Sequence, residues 1–289
     1  MKPAPFTYES PDTLAEAVEL LAGHGDDAKV LAGGQSLVPM LALRLARFER
    51  LIDLDRIAEL RTIERTDDHL RVGAMVRQAA AERDHDVATA APLLARALPH
   101  IGHFQIRNRG TIGGSTAHAD PAAELPAVAL ALDAELELAG PQGLRIVPAS
   151  SFFVSMWATA IGDDEILAAV RYPTWGDRSG FAVREFARRP GDFALAGAAC
   201  GVSLDARGIV HRAAIAMFGV GPTPIRATAA EAALVGQPAG SPLDEIVQIA
   251  ADATQPSDDV HGSADYRRTL AADMVGRALR AAIEEAGDG

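Results

Sequence analysis

The sequence predicts an α+β protein of two domains, and three observations support this fold class. The chain has 289 residues, of which 48% are hydrophobic, so it is long enough to bury two cores. Helical and strand-like patterns alternate near its start, and antiparallel strand pairs followed by helices occupy its end. We therefore predict one domain over residues 1–176, with subdomains of about 1–56 and 57–176, and a second over residues 177–289.

The first subdomain is predicted to contain two helices and two strands in alternation. Ser10 as N-cap and Pro11 at the first helical position indicate a helix that ends at Gly23. The short apolar segments AKVLA and RLIDL have the composition of buried strands. Between these strands, Ser36 is placed to cap a second helix, LVPMLALRLARF.

Beyond this subdomain, the pattern indicates antiparallel pairs. A turn at Thr66–His69 joins two short segments, and a Gly-Pro-Gln-Gly turn follows the alternating segment ELEL. An Ala/Leu-rich helical region ending near Ile101 separates them. The turn-rich segment Arg171–Gly180 marks the domain boundary. After it, we predict a three-stranded antiparallel meander with three helices over one face.

Composition excludes several classes of function. Lys and Arg number 27 against 39 Asp and Glu, and the net charge of −12 disfavours nucleic acid and anionic membrane surfaces. The sequence contains no apolar run of membrane-spanning length, and its start does not resemble a signal peptide. We therefore expect a cytoplasmic protein without membrane insertion.

Metal and thiol chemistry are not expected on this chain. Cys200 is the only cysteine, so the sequence cannot form an intrachain disulfide or supply a thiolate set for an iron–sulfur cluster. His100 and His103 form the only close helical-type histidine pair, and a packed or solvated role is favoured over metal binding because no acidic partner lies at ligand spacing.

Two glycine-rich loops are the strongest functional signal. Gly33-Gly34-Gln35-Ser36 follows a predicted strand, and Thr111–Ser115 has similar chemistry. Glycine lets backbone N–H groups approach a ligand closely, so two such loops could bind the two phosphates of a dinucleotide. Neither loop has Rossmann or Walker spacing. The alternative is that both loops are ordinary tight turns.

An acidic segment follows the second loop. Asp120 and Pro121 have the N-cap and first-position pattern of a helix, with Glu124 one turn inside it. We favour a capping role for Asp120. For Glu124, a hydrogen bond to ribose hydroxyls is preferred over a simple helix-dipole contact.

A family resemblance extends from about residue 8 to residue 280. The segments that support it are AGGQSLVPMLALRLA, LIDLDRI, HFQIRNRGTIGGSTAHADPAAELPA, RRPGDFALAGAA and HGSADYRRTLA. In these segments the chain resembles the FAD-binding medium subunit of molybdenum hydroxylases, which include carbon monoxide dehydrogenase and bacterial xanthine dehydrogenase. The resemblance implies a two-subdomain FAD-binding domain of the vanillyl-alcohol-oxidase (PCMH) type, completed by a C-terminal domain of antiparallel sheet and helices.

The resemblance also implies which residues bind the cofactor. Those expected near the pyrophosphate and its neighbouring groups are Leu31, Ala32, Gly33, Gly34, Gln35, Ser36, Leu37, Thr111, Ile112, Gly113, Gly114 and Ser115. Further expected contacts are Glu124 at a ribose or adenosine position, Ile101 near the flavin, the backbone of Ile166 and Leu167, and Phe193 at the isoalloxazine. For Phe193, a core position on a strand is an equal alternative. We expect no catalytic residue and no metal ligand on the chain.

The chain departs from the family pattern at two positions. Gln35 stands where covalent flavoproteins of the wider fold often have histidine, so noncovalent FAD is expected. The family often has a lysine where this chain has Arg184-Glu185, which leaves open which side chain supplies positive charge near the flavin.

The implied function is electron transfer within an oxidoreductase. Electrons from a substrate oxidised at a molybdopterin centre on a large subunit would pass through [2Fe–2S] clusters on a small subunit to FAD on this chain. The acceptor would be a quinone, NAD+ or oxygen, and the assembly a dimer of heterotrimers. A stand-alone FAD-dependent oxidoreductase and a non-catalytic scaffold that has lost FAD are the alternatives. A Rossmann NAD-dependent enzyme is disfavoured by the glycine spacing.

Overall fold

Three larger sheets, one two-stranded sheet and their helices make up the chain, in a computed structural model that describes residues 2–289. The strands are β1 Thr7–Glu9, β2 Ala28–Leu31, β3 Arg50–Asp53, β4 Ile63–Arg65, β5 His69–Gly73, β6 Glu135–Gly140, β7 Gly143–Pro148, β8 Phe153–Ser155, β9 Ala158–Thr159, β10 Ile166–Pro173, β11 Ser179–Phe186, β12 Ala196–Leu204, β13 Val210–Phe218 and β14 Ile225–Arg226.

Twelve α-helices are present among the described residues. They are α1 Leu14–His24, α2 Leu37–Ala42, α3 Gln78–Ala81, α4 His85–Ala90, α5 Pro92–Ala97, α6 Phe104–Arg107, α7 Ile112–His118, α8 Glu124–Ala131, α9 Ala149–Phe152, α10 Thr228–Leu234, α11 Asp244–Asp252 and α12 Ala264–Asp288. Short 3-10 turns include Leu98–His100. No helix in residues 2–289 is both long and apolar enough to cross a bilayer.

The first sheet is a small parallel one with strand order β1-β3-β2. Both predicted strands and both predicted helices of this region are present, but the second helix ends at Ala42 and not at Phe48. Strand β1 is an additional strand that the sequence pattern did not indicate. The first helix begins later than predicted. Thr13, not Ser10, is its N-cap, because the Thr13 hydroxyl accepts the hydrogen bond from the Glu16 N–H at 3.2 Å.

The second sheet is antiparallel, with order β4-β5-β10-β6-β7. Both predicted turns are confirmed, at the β4-β5 connection and at the Gly140–Gly143 turn of the β6-β7 hairpin. Strand β10 runs through the first part of the predicted boundary segment, so only residues 174–178 lie between the sheets as a connection.

The third sheet has the antiparallel order β11-β12-β13-β14. It contains the predicted meander plus a short fourth strand, and the three predicted helices α10, α11 and α12 pack together with its apolar residues. Its other face joins the core of the second sheet, where α8 is buried along its whole length. The predicted α+β fold class is confirmed, and α8 is central because its sequence ELPAVALA offers no continuous polar face.

Candidate cofactor-binding site

The two glycine-rich loops, which we call loop one (residues 31–37) and loop two (residues 111–115), lie next to each other. A Cβ added to Gly33 would overlap the carbonyl oxygen of Arg109, just before loop two. A Cβ added to Gly114 would lie 3.2 Å from the Cβ of Ala32. Glycine at these positions therefore allows the two loops to pack closely. Whether they bind a cofactor stays a prediction.

Loop one leaves its main chain available to a ligand. In the described chain, no N–H group of Gly33, Gly34, Gln35 or Ser36 donates a hydrogen bond to a protein acceptor. Gly34 has a φ of +74°, which glycine adopts readily. The Gln35 side-chain amide donates to the Gly33 carbonyl at 3.2 Å, which braces the loop. These four consecutive N–H groups therefore have no hydrogen-bond acceptor within the described chain.

Loop two differs, because its N–H groups are mostly used within the protein. Ile112 donates to the Val76 carbonyl at 3.0 Å and Gly113 to the Ala74 carbonyl at 2.9 Å. Gly114 donates to the Thr111 hydroxyl at 2.9 Å. The expectation that both loops present free main-chain donors is therefore wrong for loop two.

The helices that follow the loops add little to either one. Helix α2 has 6 residues and α7 has 7, so their dipoles are small. The predicted capping of α2 by Ser36 is wrong in one respect. Ser36 occupies the N-cap position, but its side chain makes no capping hydrogen bond. Ser36 is an exposed residue of loop one.

A cleft of about 350 Å³ opens beside loop one. Asp53, Asp55 and Arg109 belong to its walls together with residues of loop one and α2. Asp55 is neutralised by ion pairs with Arg61 and Arg77, and Asp53 accepts a hydrogen bond from the Tyr8 hydroxyl at 2.5 Å. Arg109 forms no ion pair within residues 2–289.

None of these three cleft residues was predicted from the sequence as a site residue. The position of Asp53 near the end of the predicted strand RLIDL was one available signal. The position of Arg109 immediately before loop two was a second.

Ile166 and Leu167 lie behind loop two and not beside the cleft. Both side chains are buried. The Ala74 N–H donates to the carbonyl of Ala168, the next residue in the chain, and Ala74 in turn accepts from Gly113. The residue that supports loop two through Ala74 is therefore Ala168.

The remaining predicted residues, Ile101, Glu124 and Phe193, do not belong to the walls of the cleft. Phe193 lies outside the strands and is 66% exposed, so the alternative of a core phenylalanine on a strand is wrong. Glu124 is only 8% exposed and begins α8. The prediction that Asp120 caps this helix is wrong, because Asp120 accepts from the Ala122 N–H in the preceding turn.

His100 and Glu185 join Glu124 in a titratable cluster that the sequence did not reveal. The His100 Nδ1 atom lies 3.3 Å from Glu185 Oε1. Burial raises the pKa of Glu124 to about 7, and the charges of Glu185 and Asp120 add to this effect. The hydrogen bond that His100 donates to the Glu185 carboxylate raises the pKa of His100 against the opposing effect of burial.

His103 is separate from this cluster, and its ring occupies the space beside Gly191. Residues 2–289 contain no group of three or more His, Cys, Asp or Glu side chains suited to a metal ion.

Two family models match nearly the whole chain. Residues 4–175 match the FAD binding domain in molybdopterin dehydrogenase, and residues 181–282 match the CO dehydrogenase flavoprotein C-terminal domain.

Individual relatives agree over almost their full length. The chain is 42% identical to the 6-hydroxypseudooxynicotine dehydrogenase complex subunit alpha of Paenarthrobacter nicotinovorans, covering 99% of this chain and 97% of the relative. It is 40% identical to the carbon monoxide dehydrogenase medium chain of Hydrogenophaga pseudoflava, with 98% of each chain covered. A crystal structure of Cu,Mo-CO dehydrogenase superposes with a TM-score of 0.96 at 37% identity, covering 99% of this chain and 100% of that chain. The chain therefore belongs to the FAD-binding medium subunits, the oxidoreductase flavoprotein components of molybdopterin-dependent dehydrogenases.

Proposed function

We propose that loop one binds the pyrophosphate of FAD and that Arg109 balances its charge. The observation that carries this proposal is the run of four unpaired N–H groups beside the cleft. Main-chain donors and an arginine without an ion pair are suited to phosphate oxygens. Loop two would hold loop one in place and add the hydroxyl of Ser115. Gln35 has a carboxamide, which is not a nucleophile, so the FAD would be noncovalent.

The cofactor would extend from the glycine loops toward the C-terminal sheet. Helix α7 has 7 residues and spans about 10 Å, and the chain beyond it reaches Glu124. Ile101 and Phe193 belong to the same end. The glycine loops and the predicted residues toward the C-terminal sheet would both contact one ligand only if it is long, so an extended dinucleotide fits better than a compact ligand. This placement assumes two domains, at residues 1–176 and 177–289, with subdomains near 1–56 and 57–176. That division into domains is part of the proposal.

FAD, when bound, accepts and passes on electrons, and the protein positions it and adjusts its potential. We assign to this chain the step between [2Fe–2S] clusters on a small subunit and an external acceptor such as a quinone, NAD+ or oxygen. Substrate oxidation would belong to a large molybdopterin subunit. This assignment is supported by relatives that are dehydrogenase subunits or medium chains. The assembly would be a dimer of heterotrimers.

The small subunit would dock on the exposed apolar side of α2 and the residues after it. Val38, Met40, Leu43 and Leu45 are between 36% and 73% exposed there. Contiguous exposed apolar side chains indicate a protein contact. This surface adjoins the cleft, since Val38 belongs to the cleft wall. An electron donor bound here would therefore lie close to the cofactor.

Purification of the chain with its native partners tests the function. We expect a flavin absorption spectrum, release of FAD on denaturation, and iron–sulfur absorbance from co-purifying chains. Flavin on the isolated chain with no partner would favour the stand-alone oxidoreductase. A colourless chain that does not bind added FAD would favour the scaffold and would contradict the proposal.

Substitution of Leu45 tests the docking surface. Leu45→Glu should retain FAD but lose the small subunit, because a charge would have to be desolvated in the contact. Leu144→Glu is the matched control, since Leu144 is 67% exposed against 73% for Leu45 but lies on β7 in the second sheet. Equal loss of the small subunit from both variants would contradict the assignment of this surface.

A further inference from the structure

The cleft beside loop one is lined by carboxyl groups as well as by Arg109. Asp53 and Asp55 both belong to its walls. Asp55 forms ion pairs with Arg77 and with Arg61, which is 2.8 Å away. Asp53 forms no ion pair within residues 2–289. Among the described residues, Asp53 is therefore the one carboxyl group of the cleft wall that is not used in an ion pair.

The parallel pairing of two strands brings Asp53 to the start of loop one. Strand β2 leads into the loop, and Leu31 at its end pairs in register with Asp53 at the end of β3. The carboxyl ends of parallel strands meet at one edge of a sheet, which is where doubly wound folds bind nucleotides. In those folds a glycine loop follows one strand and binds the pyrophosphate, and an acidic residue further along binds a ribose. The glycine spacing of loop one differs, but the relation between loop and acidic residue is the same.

The Asp53 carboxylate is held in place and still has acceptor capacity. Its Oδ1 atom accepts from the Asp55 N–H at 2.9 Å, and its Oδ2 atom accepts from the Tyr8 hydroxyl at 2.5 Å. A carboxylate can accept about four hydrogen bonds, so about two positions remain. The hydrogen bond to Asp53 raises the pKa of Tyr8, so the hydroxyl keeps the proton that it donates. Asp53 and Tyr8 together therefore offer acceptors to a ligand.

Acceptors suit the hydroxyl groups of a sugar and not the oxygens of a phosphate. The unpaired N–H groups of loop one are donors, which suit phosphate. Donors and acceptors side by side in one cleft match a pyrophosphate and the sugar next to it. The flavin is expected near Ile101 and Phe193, which do not line the cleft. The half of FAD that is left for the cleft is therefore the adenosine.

We propose that Asp53 binds the adenosine ribose of FAD by accepting hydrogen bonds from its hydroxyl groups. The inference rests on the proposed function, because it needs the pyrophosphate at loop one. It gives Asp53 the ribose contact expected of Glu124 from the sequence, and Glu124 does not line the cleft. Asp53 selects for a ribose, since a ligand without these hydroxyls leaves the carboxylate desolvated and without a donor.

A comparison of ADP with 2′,3′-dideoxy-ADP tests this contact on the full FAD-free chain by calorimetry. The two ligands carry the same pyrophosphate and differ only in the ribose hydroxyls, so their affinity ratio reports the sugar contact alone. We expect the unmodified chain to bind ADP about tenfold more tightly, and Asp53→Asn to bind the two within about threefold. A tenfold preference that persists in Asp53→Asn, or that the unmodified chain lacks, would overturn the proposal.

Asp84→Asn is the matched control. Like Asp53, Asp84 is half-buried and accepts from the N–H two residues further on at 2.9 Å, but it caps α4 and does not line the cleft. The preference for ADP should be unchanged in this variant. Its loss from both variants would mean that the ratio responds to any such change, and the assignment of Asp53 would be wrong.

Binding of FMN distinguishes the ribose from the ribitol chain of the flavin half. Asp53→Asn should bind FMN as tightly as the unmodified chain does. Weaker binding of FMN with unchanged binding of ADP would place the ribitol at Asp53 and overturn the proposal. An unmodified chain that binds neither FAD nor ADP would instead contradict the proposed function. Bound FAD with no preference for ADP over dideoxy-ADP would contradict the ribose contact alone.

Discussion

Loop one and loop two have similar residues, but the protein uses them differently. Loop one leaves the N–H groups of residues 33–36 unpaired beside a cleft. In loop two, Ile112, Gly113 and Gly114 all donate to acceptors within the protein. The comparison shows that a glycine pair does not by itself indicate a ligand. The hydrogen-bond partners of its N–H groups decide between a binding loop and a structural one.

The glycines themselves also serve packing as much as binding. The space where Gly33 lacks a Cβ is filled by the backbone of Arg109 and Gly110, and that of Gly113 is filled by Ala74. These neighbours are protein atoms. Loop two therefore acts as the support against which loop one is held.

The largest effect is expected from Gly114→Phe, at the contact between the loops. A Cβ here would lie 2.7 Å from the Thr111 hydroxyl and 3.2 Å from the Cβ of Ala32, so a phenyl ring would force the loops apart. We expect complete loss of bound FAD with a folded C-terminal domain, measured by flavin absorbance and limited proteolysis. Gly176→Phe is the control, since a Cβ there would contact nothing within 4 Å. Retention of flavin by Gly114→Phe would disprove the role of this contact.

The next effect concerns the other end of the site. Burial raises the pKa of Glu124 from 4.5 to about 7, so between these pH values the folded chain holds a proton that the unfolded chain has released. The free energy of unfolding should therefore fall as pH rises through this window, by about 3 kcal/mol at most. The pKa of His100 is also raised, so its contribution is present below 6.5 and is lost as pH rises further.

Denaturant unfolding of the FAD-free chain between pH 5 and pH 8 measures this effect. Glu124→Gln should flatten most of the pH dependence, because glutamine does not titrate. The remaining slope should combine two opposed contributions, from His100 with its raised pKa and from His118, whose pKa is lowered by burial. A variant with the same slope as the unmodified chain would show that Glu124 does not titrate in this window.

A smaller effect is expected from Gly33→Ala. The added methyl group would overlap the Arg109 carbonyl, so loop one would have to shift. We expect FAD affinity to fall by about tenfold and stability by about 2 kcal/mol, measured by flavin titration and denaturant unfolding. Gly23→Ala is the matched control, because its Cβ would meet nothing within 4 Å. If both variants bind FAD equally, close packing of loop one on Arg109 is not required.

Local patterns predicted most elements of the fold. The alternation of Leu136 and Leu138 with glutamates and the Gly140–Gly143 turn were sufficient for the β6-β7 hairpin. Helix starts were less predictable, because both Ser10 and Thr13 have capping side chains and only the three-dimensional structure distinguishes them. Strand β1 has only three residues and is a strand because it pairs in parallel with β3. A local sequence pattern does not contain such a distant pairing.

The candidate site was predictable only where a loop has its own signature. Loops one and two could be identified from their glycines and hydroxyls. The approach of Arg109 to Gly33, and of Glu185 to His100, joins segments that are far apart in the chain. Such contacts follow from domain packing. Glu185 lies on the opposite face of β11 from the exposed Arg184 and Phe186, and a charged residue gave no local sign of this position.

The smallest effects are expected from removing one hydroxyl group from each loop. The Thr111 hydroxyl is buried and accepts from the Gly114 N–H, so Thr111→Val should cost about 1 kcal/mol of stability by leaving that donor unpaired. The Ser36 hydroxyl makes no capping bond, so Ser36→Ala should change stability by less than about 0.5 kcal/mol. If loop one is the binding loop, Ser36→Ala should nevertheless weaken FAD binding severalfold, as flavin titration would measure. A stability loss at Ser36 equal to that at Thr111, with unchanged FAD affinity, would mean that the two loops are alike and that loop one is structural as well.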